Sequence, residues 1–461
     1  MAALYAKDAG SVRDLLRAGA DPNARTSDGL PLLCIAVAGF DHESAEALAN
    51  GDADPDAALP DGTTPLLRAV DLGSPALVSA LFINDIQPRH GEDARRRLLD
   101  LARHWCETGV EEELRRRTGA VGAATRRLVS DEYSLVEEVS LGGHTVRAGH
   151  SAILTTLEQR FGIRTPVAEL VARAVPYHVA EGLHANWFDC HYALAGRRDP
   201  QDWSELKTLR HHPDPVHRVL LADVIHSRWQ DAFWNQRRDT VHDAEFLAAW
   251  VLDEPDGMVL ARLLDVYGDD LYPDQEAIGL LYADHPDPRV RRQVSGLFVG
   301  DAPRPYERDC PPSDAVAATL LALSRDPDPE VRCSTTVELA AHLTPVFRAA
   351  LLGLIRDPDP GVRGQAGIAL GASADRTAAV TDALVSLLDE DEQLLRLEIV
   401  YALARRDDPR TGEAWNRVGE LPPDFGVIHG QQEDHRVVAY QAYTWRHRPA
   451  EPSSSDRRSQ P

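Results

Sequence analysis

Apolar positions along this chain follow two rhythms. Most recur at helical spacing: Val290, Val294, Leu297 and Phe298 stand at i, i+4, i+7 and i+8, one face of a helix. VRDLLRAG at 12–19, ALVSALF at 76–82, AVAATLLALS at 315–324 and FRAALLGLI at 347–355 are short apolar helices of the same kind. One stretch alternates instead. LVEEVSLGGHTVRA at 135–148 has alternating positions on both sides of Gly142–Gly143, which predicts a hairpin with a two-residue turn. Helices are predicted after it, over 151–161 and 166–175. No run of 18 apolar residues occurs, so no membrane span is expected.

The helical stretches are organised by repetition. In the first third DGLPLLCIAVAGF at 28–40 returns as DGTTPLLRAVDLG at 61–73, and ADPN at 20–23 returns as ADPD at 53–56. Asp28 and Asp61 are 33 positions apart. A period of that size, two short helices per unit and TPL at 64–66 resemble ankyrin repeats over about residues 1–120. Pro31 and Leu32 stand where TP is usual, and 93–119 reads as a divergent capping unit. The resemblance implies recognition through the turn tips and inner helix face. Carried over by position, the partner-binding candidates are Ser27, Asp28, Leu30, Pro60, Asp61, Thr63, Asp71 and Leu72.

Further along, RDPDPEVR at 325–332 returns as RDPDPGVR at 356–363. HPDP at 212–215 and 285–288, DEPD at 253–256 and DEDE at 389–392 open related stretches. The aligned apolar position reads Val216, Val259, Val290, Val331, Val362 and Leu394. The first proline stops the preceding helix, because the residue before a proline avoids the α region. Asp328 and Asp359 are good N-caps, followed by Pro329 and Pro360 at the first helical position. The carboxylates are therefore expected as structural caps, and neither as metal ligands nor as catalytic acids. Helix, DPDP turn and helix resemble HEAT repeats of the short variety first named for phycobilin lyases. In that family the arginine of VR often bridges to an aspartate of the next repeat. Arg291, Arg332 and Arg363 match it, whereas His217, Leu260 and Leu395 stand in its place elsewhere, so a continuous ladder is not expected.

The fold class expected is all-α: two α-solenoids in tandem, ankyrin at 1–120 and HEAT-like at 176–445. A connector with the hairpin at 121–175 joins them, and a disordered tail follows at 446–461. The formal charge of −24 argues against a nucleic-acid backbone or an anionic membrane as partner, and favours a basic protein segment. Five scattered cysteines without a CxxC fit a reducing compartment, and MAALYAKDAG lacks the apolar segment of a signal peptide, so a cytoplasmic location is expected.

Five tryptophans crowd residues 187–250, and Trp234 lies off the Trp229–Phe233 helix face, which makes it the interface candidate among residues otherwise read as core. His178, His184, Cys190 and His191 lack compact ligand spacing, and no P-loop, GxGxxG or GxSxG motif occurs. The expected function is a non-enzymatic protein-binding scaffold with no cofactor and no metal. An acidic inhibitor or immunity-type protein with one basic target is the alternative. A HEAT-fold enzyme, bilin-lyase-like or DNA-glycosylase-like, is the reading from another class. The sequence leaves the oligomeric state open.

Overall fold

A computed structural model describes residues 1–82, 91–179, 183–234, 241–268, 274–298, 311–421 and 435–447. The chain divides into two compact units, Met1–Asp243 and Ala244–Pro461. That division falls inside the stretch expected to be one HEAT-like array, and the segment expected as a connector packs as part of the first unit.

The first unit opens with three helical hairpins: α1 (Ala2–Ala6) with α2 (Ala9–Arg17), α3 (Leu32–Ala38) with α4 (His42–Asn50), and α5 (Pro65–Leu72) with α6 (Pro75–Leu81). Side-chain caps start four of the six helices. Asp8, Asp41, Thr64 and Ser74 accept the N–H three residues on, and Pro65 and Pro75 fill first-turn positions where no N–H is needed. Successive hairpins pack on one another through Leu33, Val37, Leu48, Leu66, Val70 and Leu77, all essentially excluded from water. Their loops interlock as well, because the Asn23 side chain binds both Asp52 O (3.0 Å) and Asp54 N (2.8 Å).

α7 (Glu92–Thr108) and α8 (Val110–Thr118) follow, and then a three-stranded antiparallel sheet of order β1-β2-β3: β1 (Thr125–Asp131), β2 (Ser134–Leu141) and β3 (His144–Arg147). The predicted hairpin is β2–β3, with Gly142 and Gly143 at φ 61° and 79° in the turn between paired Leu141 and His144. The connector therefore holds a sheet rather than a lone hairpin. β1 is nearly all exposed and carries no burial rhythm that a sequence reading could detect. β2 is buried on both faces, Val139 toward Trp105 and Leu114, Val136 toward Ala152 and Ala185. Gly73, between α5 and α6, has φ 69°, and a Cβ there would lie 1.9 Å from Arg147 O, so only glycine lets the hairpin meet β3. α9 (His150–Arg160), α10 (Val167–Ala174), α11 (Ala185–Ala195), α12 (Pro200–Lys207) and α13 (Pro215–Trp234) complete the unit, with α7, α9, α11 and α13 packed in succession.

The second unit is a row of helix pairs. These are α14 (Val241–Val251) with α15 (Gly257–Gly268), α16 (Gln275–Tyr282) with α17 (Pro288–Val294), and α18 (Asp314–Leu323) with α19 (Pro329–His342). They continue as α20 (Pro345–Leu354) with α21 (Pro360–Ala372), α22 (Ala378–Ser386) with α23 (Gln393–Arg405), and α24 (Thr411–Val418) with α25 (His435–Arg446). The second helices α15, α17, α19, α21, α23 and α25 pack on one another in order. Val331, Leu339, Val362, Leu370, Ile399 and Leu403 form the core that α19, α21 and α23 share. α21 and α23 approach closely because Gly371 faces Ala402, where an added Cβ would come within 2.9 Å of the alanine methyl. The architecture is thus the expected all-α stacking of helical hairpins, with one small sheet. The expected tail beyond 447 and most of the insert at 300–312 lie outside the described residues.

Candidate functional site

The two aspartates of each DPDP turn have separate tasks. The second caps its helix: Asp328 Oδ1 accepts from Glu330 N (2.9 Å) and Val331 N (3.3 Å), and Asp359 Oδ1 accepts from Val362 N (3.1 Å). The first binds the preceding repeat. Arg291 donates twice to Asp326 (2.7 and 2.8 Å), Arg332 twice to Asp357 (2.9 and 2.7 Å), and Arg363 twice to Glu390 (2.8 and 2.7 Å). The third nitrogen of each guanidinium donates to carbonyls of its own turn, such as Asp326 O for Arg332. Each arginine therefore ties its own turn to the next one. Burial opposes ionisation of Asp326 and Asp357, yet the paired guanidinium and a turn N–H outweigh it, and both carboxyls sit below the usual range.

The rungs between repeats are those of Arg291, Arg332 and Arg363, as the sequence reading expected, but the arginine position itself recurs more widely, for a reason of register. Leu394 is 47% exposed and Leu395 is buried, so Leu395 is the aligned apolar residue and Arg396 the arginine. Arg396 donates to Glu390 O, and Arg218 to His212 O, as Arg291 does to His285 O. The arginine position is thus filled at five of the six turns, with Leu260 the exception. Three consecutive rungs run from hairpin to hairpin, through Arg291, Arg332 and Arg363.

The candidates of the first unit separate into two groups. Ser27, Asp28, Pro60 and Asp61 are exposed at loop tips, and Leu30 and Thr63 are half-buried beside them. Asp61 accepts from the Thr63 hydroxyl and N–H and from Arg68, and these hold its carboxyl down to about 2, the hydroxyl contributing most. Asp71 lies elsewhere. Its carboxylate takes two hydrogen bonds from Arg117 (2.7 and 2.8 Å) and one from the Trp105 indole (2.9 Å), with the Arg117 guanidinium 4.4 Å over the Trp105 ring. That carboxylate is occupied within the protein rather than displayed with Asp28 and Asp61. Leu72 packs into both neighbouring apolar clusters. Asp8 and Asp41 are helix caps.

Trp187 and Trp250 are buried, donating to Asp223 (2.7 Å) and Glu254 (2.8 Å), and Trp229 is half-buried. The Trp234 side chain lies outside the described residues. Each member of the histidine group has its own local partner: His178 meets Trp187, His184 caps α11 and stacks on Tyr177, and His191 contacts Trp187 O. Among the described residues no three His, Cys, Asp or Glu side chains converge on a point that could hold a metal ion. No described helix is long and apolar enough to cross a membrane.

Two features were missed from sequence. Asp131, buried at the end of β1, takes bonds from Ser74 Oγ (2.7 Å), Ala76 N (3.1 Å) and Arg147, and pins the sheet to α6. In the second unit, residues at matching offsets of α19, α21 and α23 form two columns. Val337, Ile368 and Tyr401 occupy one helical offset, and Ser334, Gln365 and Glu398 the offset three residues earlier, all half-exposed. Aligning the turns by their proline or cap would have placed these residues in columns.

Residues 316–411, from α18 into the start of α24, match the family model of HEAT repeats. Comparison with curated proteins found no match to the chain.

Proposed function

We propose that the protein is a non-enzymatic scaffold or adaptor, acting in the cytoplasm, that binds other proteins through the open faces of its helical repeats. The observation that supports this most is the run of three arginine rungs that holds successive helical repeats in register. Stacked repeats create extended binding surfaces without any one deep cleft, and HEAT repeats commonly serve in this way. In this reading the first hairpins are ankyrin units, and their exposed tips Ser27, Asp28 and Asp61 form a second contact surface. The net charge of −24 and the acidic tips favour a basic segment on the partner, and with it the second reading, an inhibitor dedicated to one basic protein. Affinity capture with the tagged full chain in its own host, read by mass spectrometry, tests both. Several specific proteins support the scaffold, one stoichiometric protein supports the inhibitor, and none contradicts both.

A further inference from the structure

β1 (Thr125–Asp131) is an edge of the three-stranded sheet, and its outer side is open. Neighbouring antiparallel strands exchange their hydrogen bonds through alternate residues. Arg126, Leu128 and Ser130 of β1 stand opposite Val139, Glu137 and Leu135 of β2. Those three β2 residues turn their main chain the other way. Leu135 N donates to Leu183 O (2.8 Å), Glu137 O accepts from Ala148 N (2.7 Å), and Val139 pairs with Val146 of β3. Arg126, Leu128 and Ser130 therefore direct their N–H and C=O groups outward, away from β2. Among the described residues nothing pairs with these groups. A row of open main-chain donors and acceptors is a template for a further strand.

Edges are commonly guarded by proline, by a bulge or by charges left on the rim. β1 has no proline, and its register with β2 runs unbroken from Thr125↔Ser140 to Asp131↔Ser134. Its two arginines are drawn inward, Arg126 donating to Glu137 (2.6 Å) and Glu111 (2.9 Å), and Arg127 to Glu138 (2.7 Å). What remains on the rim is apolar: Leu128 is 53% exposed, and Val121 before the strand and Tyr133 after it are exposed too.

The strand's own sequence selects its occupant. Antiparallel pairing of TRRLVSD with a second copy, centred on Leu128, sets Arg126 opposite Ser130, Arg127 opposite Val129 and Leu128 opposite Leu128. This register pairs all the open main-chain groups of both copies. No like charges face each other, and Asp131 and Glu132 of one copy lie at the end where the other carries its arginines. It also brings Tyr133 of each copy to the end where Val121 of the other stands. Centring on Arg127 would oppose two arginines, which destabilises a strand pair, and centring on Val129 would push Arg126 past the end of the strand.

We propose that β1 is a self-association edge: it pairs antiparallel with β1 of a second copy about Leu128, joining two three-stranded sheets into one. The contact is isologous and closes at two copies. It is small, so the dimer is expected to dissociate in the micromolar range. Sedimentation equilibrium of the full chain across that range should show monomer and dimer. Leu128→Lys and Leu128→Glu each place like charges on the two-fold axis and should weaken the dimer at least about tenfold. Mixed in equal amounts, the two variants should recover a dimer, because lysine then faces glutamate. Leu128→Pro should also give monomer, since proline removes only an outward N–H and is tolerated on an edge strand. Leu128 is exposed, so the lysine and glutamate variants should melt as wild type does. If the proline variant unfolds, these two still carry the test. A wild type that stays monomeric, a dimer that survives both charged variants, or charged variants that stay monomeric when mixed would each overturn the inference.

Discussion

Arg332 donates two hydrogen bonds to Asp357 of the next hairpin while donating a third to the carbonyl of Asp326 in its own turn. One side chain thus sets the register between two repeats. Both partners are largely buried, the arginine side chain 12% and the aspartate 8% exposed. Removing one partner strands the other's charge, at a cost of about 3–5 kcal/mol for buried pairs. Arg332→Ala should therefore lower the denaturation midpoint sharply, and Arg332→Ala with Asp357→Ala should cost less than the sum of the two. Additive losses in a double-mutant cycle would remove the rung from the account.

Asp328 contributes differently, as a cap. Asp328→Ala should cost about 0.5–2 kcal/mol, with Asp328→Asn largely restoring it. Calorimetric titration with calcium, magnesium and zinc should give the same result for wild type and variant. Tight stoichiometric binding lost with the aspartate would return these carboxylates to metal chemistry.

His150 gives the first unit a sensitivity to acid. Its ring stacks on Trp105 (4.5 Å), and burial pushes its pKa from 6.5 down to about 4. The unfolded chain then binds the proton first, so stability is complete above 6.5 and falls as pH drops toward 4. The loss amounts to about 3 kcal/mol, from roughly 1.4 kcal/mol per unit of pKa. Urea denaturation of wild type and His150→Phe at pH 7 and pH 4.5 should show a smaller pH difference in the variant. An unchanged difference would assign the acid sensitivity to other groups.

The acidic candidates should separate under substitution. Asp71→Asn breaks the Arg117 pair and should lower the melting temperature. Asp28→Asn, exposed at a loop tip, should not. With a basic partner in hand, Asp28→Asn and Asp61→Asn should slow association and flatten its dependence on salt. Equal melts for Asp71→Asn and Asp28→Asn would undo the distinction.

These contrasts mark what could be read from the chain alone. The DPDP turns were legible because proline geometry and aspartate capping act within a few residues, and Asp328 and Asp359 cap as their spacing indicates. The β2–β3 hairpin was legible through its alternation and paired glycines. β1 was not, since an exposed edge strand such as Thr125–Asp131 shows no burial rhythm. The Asp71–Arg117 pair spans 46 positions, and no local rule joins them. The arginine position was misaligned at Arg396 because adjacent apolar residues, Leu394 and Leu395, look alike in sequence and only burial distinguishes them. The matching offsets of Val337, Ile368 and Tyr401 were hidden by the same slip of one residue.

The most direct measurement of the central claim is hydrogen–deuterium exchange of the full chain, alone and with a captured partner. If the repeats are a scaffold, the partner should slow exchange in peptides from α19, α21 and α23, at 329–342, 360–372 and 393–405, or at the loop tips around 27–30 and 60–63. Protection confined to neither region, in a complex that remains intact, would contradict binding through the repeat faces.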